Sequence, residues 1–268
     1  LHDLRIALRQ LRSLLRPLCA IAACADLQQR AAQLGRLSGP LRDLEVLQAY
    51  LRQQGLNSAA QLRQPRLEQG YAELLASAPL TQLLRALDDW PQQWREAACD
   101  GQLCGLDKLI RKRLRKDRKR LAQALLDPAH DRHRLRLLAK RLRYAAEAYP
   151  QLAGLPGGIG LQLKQAQSAL GDWHDHWQWL QRAEAEADLQ PCVPTWRAAL
   201  QRAEQQAAVA HVPLVLGSGA VAHAHRRRVE VALCHGFALL RDPGGQEELL
   251  QVGDHRALDL HVRVAPAF

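Results

Sequence analysis

Two stretches decide the fold: His2-Asp-Leu-Arg-Ile-Ala-Leu-Arg-Gln-Leu-Arg12 and His133-Arg-Leu-Arg-Leu-Leu-Ala-Lys-Arg-Leu-Arg143. Superimposed, they set Leu4 on Leu135, Arg5 on Arg136, Ile6 on Leu137, Arg9 on Lys140, Leu11 on Leu142 and Arg12 on Arg143. At nearly the same offset, Gly39-Pro-Leu-Arg42-Asp43 matches Gly171-Asp-Trp-His174-Asp175. Self-similarity of this kind reads as an internal duplication, each copy pairing a His/Arg helix with a Gly-x-x-[Arg/His]-Asp element. The economical architecture is all-α, two pseudosymmetric antiparallel helical bundles.

Around these stretches, residues 1 to about 210 are rich in Leu, Ala, Gln and Arg, with helix-length apolar stripes punctuated by Gly or Pro. The breakers, Pro91 among them, delimit helices over about 2–24, 26–54, 66–99, 106–127, 130–149, 161–188 and 194–210. Copy one is read as 1–101 and copy two as 102–210. Composition then changes: only Val46 and Val193 precede position 209, nine valines follow, and the last lysine is Lys164. Residues 211–268 form an irregular tail that is an added module, a disordered extension or the product of a shifted reading frame. Its His223-Ala-His225-Arg226-Arg227-Arg228 could hold metal or phosphate, but the expectation is no function.

The chain has 268 residues, 37 Lys and Arg against 27 Asp and Glu, and a net charge of +10. That length buries an ample core, and that charge directs the search to polyanions: nucleic acid, anionic membrane or phosphate polymers. No run of 18 apolar residues occurs and the N-terminal segment is charged every few residues, so neither a transmembrane helix nor a signal peptide is read. The expected compartment is the cytosol. The chain contains no Met, so it is read as starting inside a longer reading frame or after processing. Cys19, Cys24, Cys99, Cys104, Cys192 and Cys234 are too sparse for a disulfide scaffold. The C-x4-C spacing of the first four lacks a histidine at ligand distance, so they are read as ordinary buried thiols, and no metal or other cofactor is expected.

On a helix, His2, Arg5, Arg9, Arg12 and Arg16 share one face, and His133, Arg136, Lys140 and Arg143 repeat it. The main apolar face lies to one side, while Ile6 and Leu137 flank the cations on the other, which suggests a groove rather than a bulk-facing surface. Like charges at i, i+4 cost a helix about 0.2–0.5 kcal/mol per pair, and no acid sits within either stripe. An uncompensated cation row present twice is easiest to understand if an external anion completes it. The segment Arg111-Lys-Arg-Leu-Arg-Lys-Asp-Arg-Lys-Arg120 adds eight cations and one acid just before the second His helix. In an antiparallel hairpin those two helices bring cations to one groove. Arg111, Arg115 and Arg118 join the candidates, although the run covers nearly the whole circumference and spacing does not say which members point inward.

Arg suits such a site because its planar fork holds phosphate oxygens bidentately, while Lys adds a mobile point charge. His2 and His133 either donate to phosphate or cap their helices. Asp43 and Asp175 are read as orienting an Arg or His in preference to acting as general bases.

HDLRIALRQLRS, HRLRLLAKRLRYAAE and LGDWHD resemble the CHAD domain, the conserved-histidine α-helical domain, over roughly residues 1–210 and in both copies. The resemblance implies two pseudosymmetric four-helix bundles that bind inorganic polyphosphate along a basic central cavity. Many such domains are joined to CYTH-type triphosphate-tunnel phosphohydrolases, so a partner of that type is implied upstream or in trans. The family's basic signature falls here on His2, Arg5, Arg9, Arg12 and Arg42, and on His133, Arg136, Lys140, Arg141, Arg143 and His174. Two departures follow. The helix before His133 has no counterpart before His2, which leaves one wall of the first copy open, and residues from about 212 onward do not resemble the family.

The leading expectation is therefore a non-catalytic polyphosphate-binding module, cytoplasmic and associated with polyphosphate granules. A nucleic-acid-binding protein is the alternative, disfavoured because the six Trp stand at core spacing rather than among the basic residues. A metal-dependent phosphohydrolase built on His174, Asp175, His133 and His2 is third, since cations around the histidines repel a metal.

Overall fold

The structure is a computed structural model that describes residues 1–127, 129–155 and 158–217. Every regular element among them is helical: α1 (His2–Leu15), α2 (Ala22–Leu37), α3 (Gly39–Gln53), α4 (Asn57–Leu62), α5 (Gln64–Leu75), α6 (Ala78–Cys99), α7 (Leu106–Leu125), α8 (Arg132–Ala148), α9 (Pro150–Ala153), α10 (Ile159–Ala183) and α11 (Val193–Gly217), with short 3-10 turns at Arg16–Leu18 and Ala187–Cys192.

Proline accounts for most differences from the expected spans. The segment read as 2–24 stops at Leu15, since Pro17 opens a 3-10 turn; the segment 26–54 divides at Ser38, with Pro40 in the first turn of α3; and 66–99 divides at Ser77, with Pro79 in the first turn of α6. A proline there gives up only an amide that lacks an intrahelical partner anyway. Pro91 is the exception: it lies inside α6, which continues through it at the expense of one hydrogen bond. Gly105, at φ 72°, admits the left-handed turn that starts α7 where expected. Asp131 caps α8 by accepting from the His133 amide at 3.0 Å.

The two repeated stretches become α1 and α8, which pack against each other. Their companion elements differ. Gly39 starts a new helix, whereas Gly171 lies in the middle of the continuous 25-residue α10, because the second copy has no proline to match Pro40.

Three apolar cores hold the helices. Leu8, Leu15, Leu27, Leu34, Leu83 and Ala97 from α1, α2 and α6 form the first, which Ile110 and Leu114 of α7 complete. Leu121 and Leu125 of the same α7 enter the second, with Leu135, Leu142, Leu163 and Leu170 of α8 and α10. α7 thus supplies the wall that copy one was expected to lack. The third core joins Leu47 and Leu51 of α3 to Trp179 of α10 and to Leu189 and Trp196, a grouping the stripes did not announce.

α11 runs on to Gly217, so the first residues assigned to an irregular tail are helical. The remainder of that tail, His223–Arg228 included, lies outside the described residues. Cys24 and Cys192 are buried as expected of structural thiols, but Cys19, Cys99 and Cys104 are exposed. Trp179 and Trp196 are buried, whereas Trp177 is 43% exposed, against the expectation that all six Trp stand in cores. Among the described residues no helix is long and apolar enough to cross a membrane.

Candidate functional site: a cationic cleft between α1 and α8

Where α1 lies against α8, with α7 and α2 beside them, a cleft of about 430 Å³ opens. Its lining carries eight cations, Arg5, Arg9, Arg12, Arg16, Arg113, Arg136, Lys140 and Arg141, against a single carboxylate, Asp117. Leu8, Leu137 and Ala145 supply apolar floor, and Ser13, Gln28 and Tyr144 add neutral polar groups. The α1 row turns inward because Leu8 and Leu15 are buried in the first core, which fixes Arg5, Arg9, Arg12 and Arg16 on the adjoining face. Leu135, Ala139 and Leu142 orient α8 in the same manner.

Crowding and burial act on these groups together. Desolvation, reinforced by Arg136, Arg9 and Arg5, lowers the Lys140 ammonium to about 8 despite the opposing pull of Asp175. Arg16 is lowered to about 10 by burial, which outweighs the carboxylate of Asp117. Desolvation also lowers Arg5, with Asp43 opposing it, and lowers Arg12, exposed over much of its length, with help from Arg141. Such shifts mark cations held partly out of water and close to one another.

Several contacts hold the row in place. Arg5 donates through Nη1 to the Gly35 carbonyl and to Ser38 Oγ, both at 3.0 Å. The Tyr144 ring receives the Arg9 guanidinium at 4.8 Å from its centroid and that of Arg143 at 4.2 Å. Arg113 donates through Nε to Asp117 Oδ2 at 3.3 Å, and Arg16 Nη2 lies 3.6 Å from Asp117 Oδ1.

A histidine pair stands near this row. His133 and His174 have ring centroids 4.8 Å apart, and His174 Nδ1 is buried without a hydrogen-bond partner. Burial, then Arg136, His133 and Lys140, lowers the His174 imidazole to about 4, so it is neutral at physiological pH. Asp175 is pushed up by burial, with Arg136 pulling the other way.

Of the residues singled out in the sequence, Arg5, Arg9, Arg12, Arg16, Arg136, Lys140 and Arg141 line the cleft. His133 and His174 meet as the pair just described, outside the lining. Arg42 is paired with Glu45, which also accepts from Tyr71 at 2.7 Å. Arg143 is taken up by Glu147 and by Gln167, at 2.8 Å, so one acid does extend the second stripe by a turn. His2, Arg111 and Arg115 are exposed at positions outside the lining, and Arg118 reaches the Gly154 carbonyl at 3.4 Å.

Arg113, Asp117 and Tyr144 were not singled out. For α7 the signal was available: Ile110, Leu114, Asp117 and Leu121 follow helical core spacing, so the one acid of the basic run occupies a buried position and Arg113 stands one turn before it. Tyr144 lies one turn beyond Lys140 on the same face of α8.

Among the described residues no group of three or more His, Cys, Asp or Glu gathers as a metal would require. An all-helical fold with a row of arginines lining a cleft between two helices defines a class of helical domains with a cationic cleft. The CHAD domain family model matches residues 1–184, and the chain belongs to that family. The crystal structure of the CHAD domain from the plant Ricinus communis is similar at a TM-score of 0.58 with 25% identity, covering 82% of this chain and 81% of that one. No curated protein sequence matches.

Proposed function

We propose that the chain is a non-catalytic module that holds inorganic polyphosphate in the α1–α8 cleft. The observation that carries this reading is the cleft's charge: eight cations and one carboxylate around about 430 Å³. A linear polymer of phosphates supplies the missing charge at closely spaced positions, and the guanidinium forks of Arg9, Arg12 and Arg136 suit its oxygens. Contacts that are weak singly add along one chain, and each neutralised phosphate releases counterions, so affinity falls steeply with salt. The module acts in the cytoplasm at polyphosphate granules, with a CYTH-type phosphohydrolase, joined to it or met in trans, as its partner.

The test is retention of long-chain polyphosphate at moderate salt by the wild type and by Arg9→Glu/Lys140→Glu. The double variant is expected to lose retention while keeping its helical circular dichroism; unchanged retention overturns the assignment. Competition by DNA at matched phosphate concentration examines the nucleic-acid alternative, to which the exposed Trp177 lends a stacking surface. DNA that displaces polyphosphate at equal concentration would favour it. Phosphate release on addition of magnesium or manganese would instead indicate a hydrolase.

A further inference from the structure

We propose that Asp117 is a specificity-determining residue of the cleft: a tethered carboxylate that holds Arg16 in reserve, so that long polyanions gain this cation and short ones do not. The inference rests on the polyphosphate reading and deepens it by naming the device that discriminates chain length.

Asp117 is 3% exposed, packed into α7 between the core residues Leu114 and Leu121. Its two ion pairs are unequal and loose. Arg113 Nε donates to Oδ2 at 3.3 Å, while Arg16 Nη2 stands 3.6 Å from Oδ1, an atom that has no hydrogen-bond partner. A charge-assisted N–H···O bond has its optimum near 2.7–2.9 Å. Elsewhere in this protein Arg63 meets its partner far more closely, with Asp188 at 2.6 Å. The Asp117 carboxylate is therefore fixed by packing on α7, yet it grips Arg16 weakly.

A covalently tethered anion competes at high effective concentration, which a dissolved small anion matches only with difficulty. A short phosphate seated on Arg9, Arg136 and Lys140 leaves Arg16 with Asp117. A long chain anchored on those same cations presents its next phosphates to Arg16 from the same complex, so its competition is intramolecular too. Arg16 then turns from a single buried carboxylate to a phosphate oxygen, and Arg113, one turn away on α7, stays with Asp117 so that the carboxylate is not left uncompensated.

The experiment is isothermal titration of the full chain with sodium tripolyphosphate and with long-chain polyphosphate, for the wild type, Asp117→Asn, Arg16→Gln and Arg9→Gln. Asp117→Asn is expected to strengthen tripolyphosphate about fivefold and long chains by less, shrinking the ratio of the two affinities. Arg16→Gln is expected to weaken long chains several-fold more than tripolyphosphate, whereas Arg9→Gln weakens both alike. A role confined to stability would move neither ratio. Should Asp117→Asn lose its helical signal, the contrast between Arg16→Gln and Arg9→Gln decides. Wild-type binding with ratios unchanged in all variants overturns this inference alone; a wild type that binds neither ligand overturns the polyphosphate reading beneath it.

Discussion

Arg63 and Arg16 each face an aspartate inside the protein, but their surroundings are opposite. Arg63, 5% exposed, joins α4 to the Ala187–Cys192 turn by donating to the Ala59 carbonyl and to Asp188, both at 2.6 Å, and to Glu186. Two carboxylates enclose one cation, so the cation is more than matched by the protein's own acids. Arg16 shares its single carboxylate with Arg113 and stands in a cleft with six further cations. Residue type alone does not separate a structural clamp from a binding site. The balance of counter-charge around it does, and that balance depends on elements distant in sequence.

The sharpest way to break this comparison is to remove a cation from each side. Arg63→Met leaves Glu186 and Asp188 without their partner, and since both are about a third exposed the expected loss is near the low end for a buried pair, about 3 kcal/mol by urea denaturation. A loss below about 1 kcal/mol would mean that water already satisfies the clamp.

Saturating long-chain polyphosphate comes next. At about a hundred times its dissociation constant it is expected to stabilise the wild type by about 2.7 kcal/mol, read as a rise in Tm. Arg63→Met should gain the same increment from its lower baseline, and Arg9→Glu/Lys140→Glu should gain none. An equal rise in the double variant would place the polymer outside the cleft.

Acid separates fold from ligand. His174 is lowered in the folded protein from 6.5 to about 4, so the unfolded chain binds more protons between these values. Its contribution to stability is fully present above 6.5 and is lost as the pH falls through about 4. Polyphosphate favours the protonated ring, so its affinity should rise over the same interval while the stability of the free protein falls. Parallel titrations of urea midpoint and dissociation constant check the signs, and His174→Gln should flatten both trends.

The smallest effect concerns the free protein. Arg9→Gln removes a like-charge neighbour from Arg5 and Lys140, so it should raise stability by about 0.2–0.5 kcal/mol in low salt and by nothing measurable in high salt. A salt-independent loss would show that Arg9 serves the fold through Tyr144 rather than the ligand.

The same comparison explains what could be read from the sequence. The α1 and α8 rows were legible because helical spacing places Arg5, Arg9, Arg136 and Lys140 on one side of leucines that must be buried. Arg143 belonged to the same periodic row yet is claimed by Glu147 and Gln167, since periodicity gives direction but not the acid one turn further on or the neighbouring helix. Arg111 and Arg115 stood in a run with cations on every side, where the core spacing of Ile110, Leu114, Asp117 and Leu121 was the one signal that set Arg113 apart, and the core contacts of Ile110 and Leu114 agree with it. Arg63 carried no signal, because its partners come from a turn more than 120 positions later.

α7 gives Ile110 and Leu114 to one core and Leu121 and Leu125 to the next. A cut between residues 101 and 102 would leave the front fragment with a bare apolar trough and the rear fragment with exposed leucines seeking it. Neither piece should persist as a monomer, whereas mixing the two should rebuild the whole, as a split reporter does. The two halves share α7 as a common spine, and the cleft between α1 and α8 stands on the two cores that this helix joins.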